Sequence, residues 1–177
     1  MLYNKCCMKY IIVILIFVIA SDVTSAQTQK DVLHLITDTA KDEHGYANER
    51  GDTVIPLGRY PMCFTDTFNK FAIVLMSGKG FVGIDRKENV LFNVYPFDNG
   101  PDYPLCGLFR ITKNGKIGYA DLNGKIVIQP QFDCAYPFKN NKAKVGVGCK
   151  ENKSGEHHFW TGGNWHTIDL DGKVVKK

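Results

Sequence analysis

Apolar and polar positions in this chain fall into short bursts separated by Gly, Asn and Asp, which predicts strands and tight turns. The clearest stretch is Gly118-Tyr119-Ala120-Asp121-Leu122-Asn123-Gly124-Lys125-Ile126-Val127-Ile128, with Asn123-Gly124 between two apolar segments. Asn-Gly predicts a tight hairpin turn, because such turns need positive φ and these residues adopt it at low cost. The β-branched Ile126-Val127-Ile128 suits a strand. The outline recurs at Gly83 to Phe92 and at Gly45 to Ile55, and a half-copy, Thr167 to Val175, closes the chain. With Asn48, Asp85, Asp121 and Asp169 taken as equivalent, the offsets are 85 − 48 = 37, 121 − 85 = 36 and 169 − 121 = 48. The last implies an insertion, which lies within Lys150 to Asn164. An Asp before a tight turn can bind backbone N–H groups two residues on. Its recurrence at a turn therefore argues for a structural role over the acid–base work of a glycosidase.

The flanks repeat as well. Leu33 to Thr37, Ala72 to Met76 and Leu108 to Thr112 are apolar strands, each followed by a polar turn. Tyr60-Pro61, Tyr95-Pro96-Phe97 and Tyr136-Pro137-Phe138 follow the copies, and Pro, lacking an N–H, marks strand ends or loops. Val32, Leu35, Ile36 and Ala40 also fall at helical spacing, but the matching segments of later copies are strands, so a strand is expected here too. A lone hairpin buries too little apolar area to be stable. The units should pack on one another. The fold class expected is all-β: tandem antiparallel β-hairpin repeats forming an open or partly closed multi-stranded sheet stack. One domain, 27–177, would hold units at about 33–70, 71–107, 108–142 and 143–177. Lys173, Lys176 and Lys177 around Val174-Val175 would guard the final edge against pairing with other chains.

The segment Lys116 to Phe132 resembles the bacterial WG repeat, in which a Trp-Gly-Tyr-x-Asp strand precedes a Gly-Lys turn, an apolar strand, a Pro and an aromatic residue. Phe138 and Ala143-x-Val145 suit the same pattern. The Trp place holds Ile117, Val82 and His44 in three copies; Trp165 alone keeps it, with His166 where Gly would stand. The chain is thus similar to a degenerate member. The resemblance implies a bacterial, often exported, β-repeat protein and carries no catalytic activity with it.

The N-terminus has a different pattern. Lys5 and Lys9 precede an apolar run, Tyr10 to Ala20, and small and polar residues follow to Ala26. This is the layout of a secretory signal, 1–26, with cleavage after Ala26 or after Ala20 and a start at Met1 or Met8. The run is too short to span a bilayer. A secreted or periplasmic product with no membrane span after cleavage is expected. The chain carries +4; without residues 1–26 it carries 20 − 17 = +3, an ordinary surface charge that points away from nucleic acid. Cys63, Cys106, Cys134 and Cys149 remain, permitting disulfides in any of three complete pairings, with free thiols as the alternative.

Few side chains offer chemistry. His157, His158 and His166 with Asp169 or Asp171 are the one group of ligand types, but adjacent histidines on a strand point to opposite faces. Ser77 lacks both a nucleophile elbow and phosphate-loop spacing. No catalytic residue, metal ligand or cofactor is assigned. The repeated Tyr-Pro-Phe residues read as core filling between units. The aromatic, Gly-rich insertion breaks the repeat, and Phe159, Trp160 and Trp165 in and beside it are the candidate contact surface. The expected function is a non-enzymatic binding or scaffolding module acting on a protein or cell-surface glycan through an insertion loop. A small envelope hydrolase or hydrolase inhibitor is the alternative.

Overall fold

The computed structural model describes residues 32–154 and 157–176, the side chains of 153, 154, 157 and 158 excepted. The expected signal segment 1–26 lies outside the described residues, as do Lys177 and the side chains of His157 and His158. The described chain is all-β and without helix. Its first unit is β1 (Leu33–Asp38), β2 (Glu43–Ala47) and β3 (Thr53–Tyr60), followed by the short β4 (Met62–Cys63) and β5 (Thr67–Phe68). The second is β6 (Ala72–Met76), β7 (Gly80–Ile84) and β8 (Val90–Val94), followed by β9 (Pro96–Phe97) and β10 (Gly100–Pro101). The third is β11 (Leu108–Lys113), β12 (Lys116–Asp121) and β13 (Ile126–Phe132), followed by β14 (Cys134–Ala135). A long hairpin, β15 (Ala143–Ser154) and β16 (His157–Ile168), begins the fourth.

Every unit is an antiparallel meander, and the four share one turn. At Asn48, Asp85, Asp121 and Asp169 the side-chain oxygen accepts from the N–H groups two and four residues on, at 2.8–3.1 Å. The next strand then re-pairs six residues later: Ala47 with Thr53, Ile84 with Val90, Ala120 with Ile126, and Ile168 with Val174. Gly51, Gly124 and Gly172 take positive φ at the third position after this residue, and Glu88 does so in the second unit at φ 61°. Asn123 is not in that region, so the Asn123-Gly124 turn is a type I turn closed by a left-handed Gly, not the two-residue turn expected. Lys113 to Lys116, with Asn114 and Gly115 both at positive φ, is the two-residue form. Glu88 offsets its strained backbone with its carboxylate, which accepts from Arg59 Nε at 2.9 Å and from the Tyr60 hydroxyl at 2.7 Å.

Successive units join by one device. At the end of the third strand, or in the short strand that follows it, the chain leaves its own meander and pairs with the first strand of the next unit. Cys63 pairs with Val74, Val94 with Ile111, and Ala135 with Val145. In the first and third units the strand kinks on the way. Gly45 lies under the backbone of Ile55 to Leu57, and Gly118 under Ile128 to Pro130. Val82 holds the corresponding place in the second unit, where β8 passes without that kink. Pairing also aligns Phe81 and Val82, not Val82 and Gly83, with Ile117-Gly118. The Trp place of the second copy is therefore Phe81, one residue earlier than its sequence indicated. The sheets are β3-β2-β1-β5, β13-β12-β11-β8-β7-β6-β4, β14-β15-β16 and β10-β9, and none closes into a barrel.

The core follows the joints. Tyr46, Phe68, Val74 and Ile84 pack between the first two units, and Tyr119, Phe138, Val145 and Ile168 between the last two. Tyr46 and Tyr119 act alike: each buried phenol donates to a carbonyl beyond its three-stranded meander, Thr65 at 2.9 Å and Tyr136 at 2.7 Å, and meets a Phe edge-on. The second unit has Gly83 instead, and the Phe71 ring occupies the space its side chain would need. Tyr60 and Phe138 fill the core as expected of the Tyr-Pro-Phe positions. Phe97 and Tyr136 instead stay largely exposed.

Candidate functional site

The insertion is an extension of β15 and β16, not the loop expected. Its strands stay paired from Ala143 with Ile168 out to Ser154 with His157. Trp160 and Trp165 are five residues apart, and regular alternation would aim them at opposite faces. Gly162 and Gly163, at φ 70° and 72°, and Gly148 at 77° on the facing strand reset the alternation, so both indoles lie on one face. A side chain on Gly163 would meet the Cys149 backbone nitrogen at 2.5 Å. Gly146, opposite Trp165, leaves room for the indole to lie across the strand.

The two indoles join two rings from the unit joints. Trp160 stands 5.0 Å from Tyr136 and 6.4 Å from Tyr95, both edge-on, and 6.2 Å from Trp165; Tyr136 and Trp165 are 5.7 Å apart. Phe64 and Phe81 repeat the Tyr136–Trp165 contact two joints earlier, at 5.4 Å. Trp165 donates its indole N–H to the Gly162 carbonyl at 2.8 Å, and Lys144 Nζ lies 4.8 Å from its ring centre. Tyr136 is 42% exposed. Of the three candidate residues, the structure brings Trp160 and Trp165 together. Phe159, 45% exposed, belongs to the opposite face. Tyr95 and Tyr136 were legible only as core filling, although their recurrence before Pro marked them as a pair.

Charge supports this face from below. Arg110 is buried with its guanidinium 4.2 Å from the Tyr95 ring, and it donates to both carboxylate oxygens of Asp102 and to the Ala135 carbonyl. Burial, then the Glu151 charge, pushes the Tyr95 phenol above its ordinary value. Burial does the same to Tyr119, which stays a donor to Tyr136. Cys134 and Cys149 are bonded at the root of the hairpin, with Cα atoms 6.2 Å apart, while Cys63 is buried and free and Cys106 exposed and free. His166 lies on β16; the described residues contain no group of three or more metal-ligand types.

Asp133 ties down the hairpin kink. Its carboxylate accepts from the Gly148 N–H at 2.7 Å and from Lys116 Nζ, and these bonds hold its acidity below the usual carboxylate range. A carboxyl depressed in the folded state stabilises fully above its unfolded value, and that stability is lost as pH falls through the folded value. Tryptophan emission from the hairpin should therefore change below about pH 4. Asp133→Asn should remove that step, and an unaltered step would show that another group controls it.

Residues 117–148 match a family model described as WG containing repeat. No curated protein and no solved structure matches the chain. The matched stretch holds β12, the shared turn, β13 and the crossing into β15, so it covers both the kink over Gly118 and the phenol bond of Tyr119. That stretch is similar to a WG containing repeat, a short partial match consistent with a degenerate WG-repeat member, and its turn recurs at Asn48, Asp85 and Asp169.

Proposed function

We propose that this protein is an exported, non-enzymatic binding or scaffolding module of a bacterial cell envelope, taking a protein or a cell-surface glycan on the aromatic face of β15 and β16. The observation that carries the reading is the ring cluster of Tyr95, Tyr136, Trp160 and Trp165. Aromatic rings with one apolar face and a polar tip are efficient contact groups for both ligand classes. These rings are fixed by a paired hairpin and a disulfide, so little order would have to be acquired on binding. The leader pattern at 1–26 supports export, and a bonded Cys134–Cys149 pair accords with an oxidising compartment.

The test is capture from native envelope extract by the full chain. The Trp160→Ala/Trp165→Ala variant should lose captured material at least tenfold, a loss of about 1.4 kcal/mol or more. Its unfolding midpoint will fall, because Trp160 also packs against the core of the last two units, so capture is compared at a temperature where circular dichroism shows both proteins folded. Undiminished capture by the variant would dispose of the reading.

A further inference from the structure

The joint between the second and third units and that between the third and fourth are built alike. Tyr95 donates its N–H to the Arg110 carbonyl at 3.0 Å, and Tyr136 donates to the Lys144 carbonyl at 2.9 Å. Leu105 and Leu108 close a two-residue turn through reciprocal backbone bonds, and Lys139 and Lys142 do the same. Arg110 and Lys144 thus hold one position in the fold. Each is a cation beside an aromatic ring, 4.2 Å from Tyr95 in one case and 4.8 Å from Trp165 in the other.

What covers the cation differs. From the tyrosine to the turn is 105 − 95 = 10 residues at the first of these joints and 139 − 136 = 3 at the second, a difference of seven. The longer connection brings in Asp102, whose N–H bonds the Tyr95 carbonyl at 2.9 Å and whose carboxylate neutralises Arg110. Both members of that pair are buried. At the second joint Lys144 is exposed and makes no ion pair among the described residues. Beside it lies an open groove of about 760 Å³ between Tyr136, Lys139, Lys142 and Lys144 and, across from them, Leu105.

We infer that this groove binds an acidic peptide segment of a partner protein, an Asp or Glu carboxylate meeting Lys144, which stands beside the Trp165 ring, while its neighbours lie against Tyr136 and Leu105. The chain's own Asp102 segment on Arg110 and Tyr95 is the template for that contact. Three lysines around an apolar floor supply the charge complementarity, which selects an anionic occupant over a neutral one. The inference rests on the aromatic face being a contact surface and adds the chemistry of what it contacts.

The probe is a synthetic peptide with the sequence of residues 96–104, Pro-Phe-Asp-Asn-Gly-Pro-Asp-Tyr-Pro, titrated into the isotope-labelled full chain. Saturable shifts are expected at the Tyr136 and Lys144 amides and the Trp165 indole, with a dissociation constant on the order of millimolar or tighter. Replacing the second Asp of the peptide by Asn, or Lys144→Glu in the protein, should each weaken binding at least tenfold. Absence of groove shifts at millimolar peptide overturns the inference, as does a uronate oligosaccharide that saturates the groove where the peptide does not. Envelope capture that survives Lys144→Glu but is lost in Trp160→Ala/Trp165→Ala overturns the acidic-peptide assignment and leaves the aromatic face standing.

Discussion

Asp102→Asn should destabilise the protein by about 3–5 kcal/mol, because it leaves the Arg110 guanidinium buried without a counter-charge. Arg110 has little else to turn to. Its remaining contacts are the Ala135 carbonyl at 3.1 Å and the faces of Tyr95 and Phe97, which favour a cation without neutralising it. The Arg110 N–H would also keep only a weaker, neutral acceptor in place of the carboxylate that now holds it at 2.7 Å. A loss of this size is a large part of what a domain has to spare. Urea unfolding of the full chain should show it as a lower midpoint at similar slope. The double variant Asp102→Leu/Arg110→Met should recover much of the loss, since an apolar pair of similar size needs no desolvation. A shift below about 1 kcal/mol for Asp102→Asn would mean that water reaches the pair.

The second large effect is expected at Gly118. A Cβ there would stand 2.4 Å from the Ile128 carbonyl oxygen and 2.6 Å from the Pro130 nitrogen. Both are backbone atoms of the kink that swings β13 from its own unit toward the next, so no side-chain rotation relieves the clash. Gly118→Ala should therefore cost about 3 kcal/mol. Gly45→Ala, facing Ile55 and Leu57 in the same way at 2.6 Å and 2.9 Å, should behave alike. Gly100→Ala is the control: its Cβ meets nothing within 4 Å, and the change should fall within about 0.5 kcal/mol. Equal midpoints for Gly118→Ala and Gly100→Ala would refute the account of the kink.

What could be read from the sequence was what is local. A carboxylate or amide that binds the N–H groups two and four residues on needs no distant partner, so Asn48, Asp85, Asp121 and Asp169 announced the turn and with it the all-β fold. The one-residue slip at Phe81-Val82 was hidden because a Gly stands next to the expected place. The offset of 36 between Asp85 and Asp121 already puts Val82 where Gly118 lies, and strand pairing agrees with the offset, not with the neighbouring Gly. Nothing in the linear pattern marks Arg110 and Asp102 as partners, since it does not show a ten-residue connection folding back over a strand. At the candidate site Trp160 and Trp165 were found from composition. Their shared face was not, because it depends on paired left-handed glycines in facing strands. The cysteine count permitted several pairings, and the crossing of β14 onto β15 selects Cys134 with Cys149.

That covalent link has a mechanical consequence. Pulled by its two ends, the polypeptide cannot reach its full contour while the bond is intact, because the 15-residue separation between the sulfurs carries no load. Roughly 45 Å of extension stays locked away, at about 3.4 Å per stretched residue less the Cα separation across the link. The first and second joints, each held by two residue pairs, have no such covalent tie. Of the ring cluster only Tyr136 lies inside the closed loop, so Trp160 and Trp165 on β16 would peel away from it without covalent restraint.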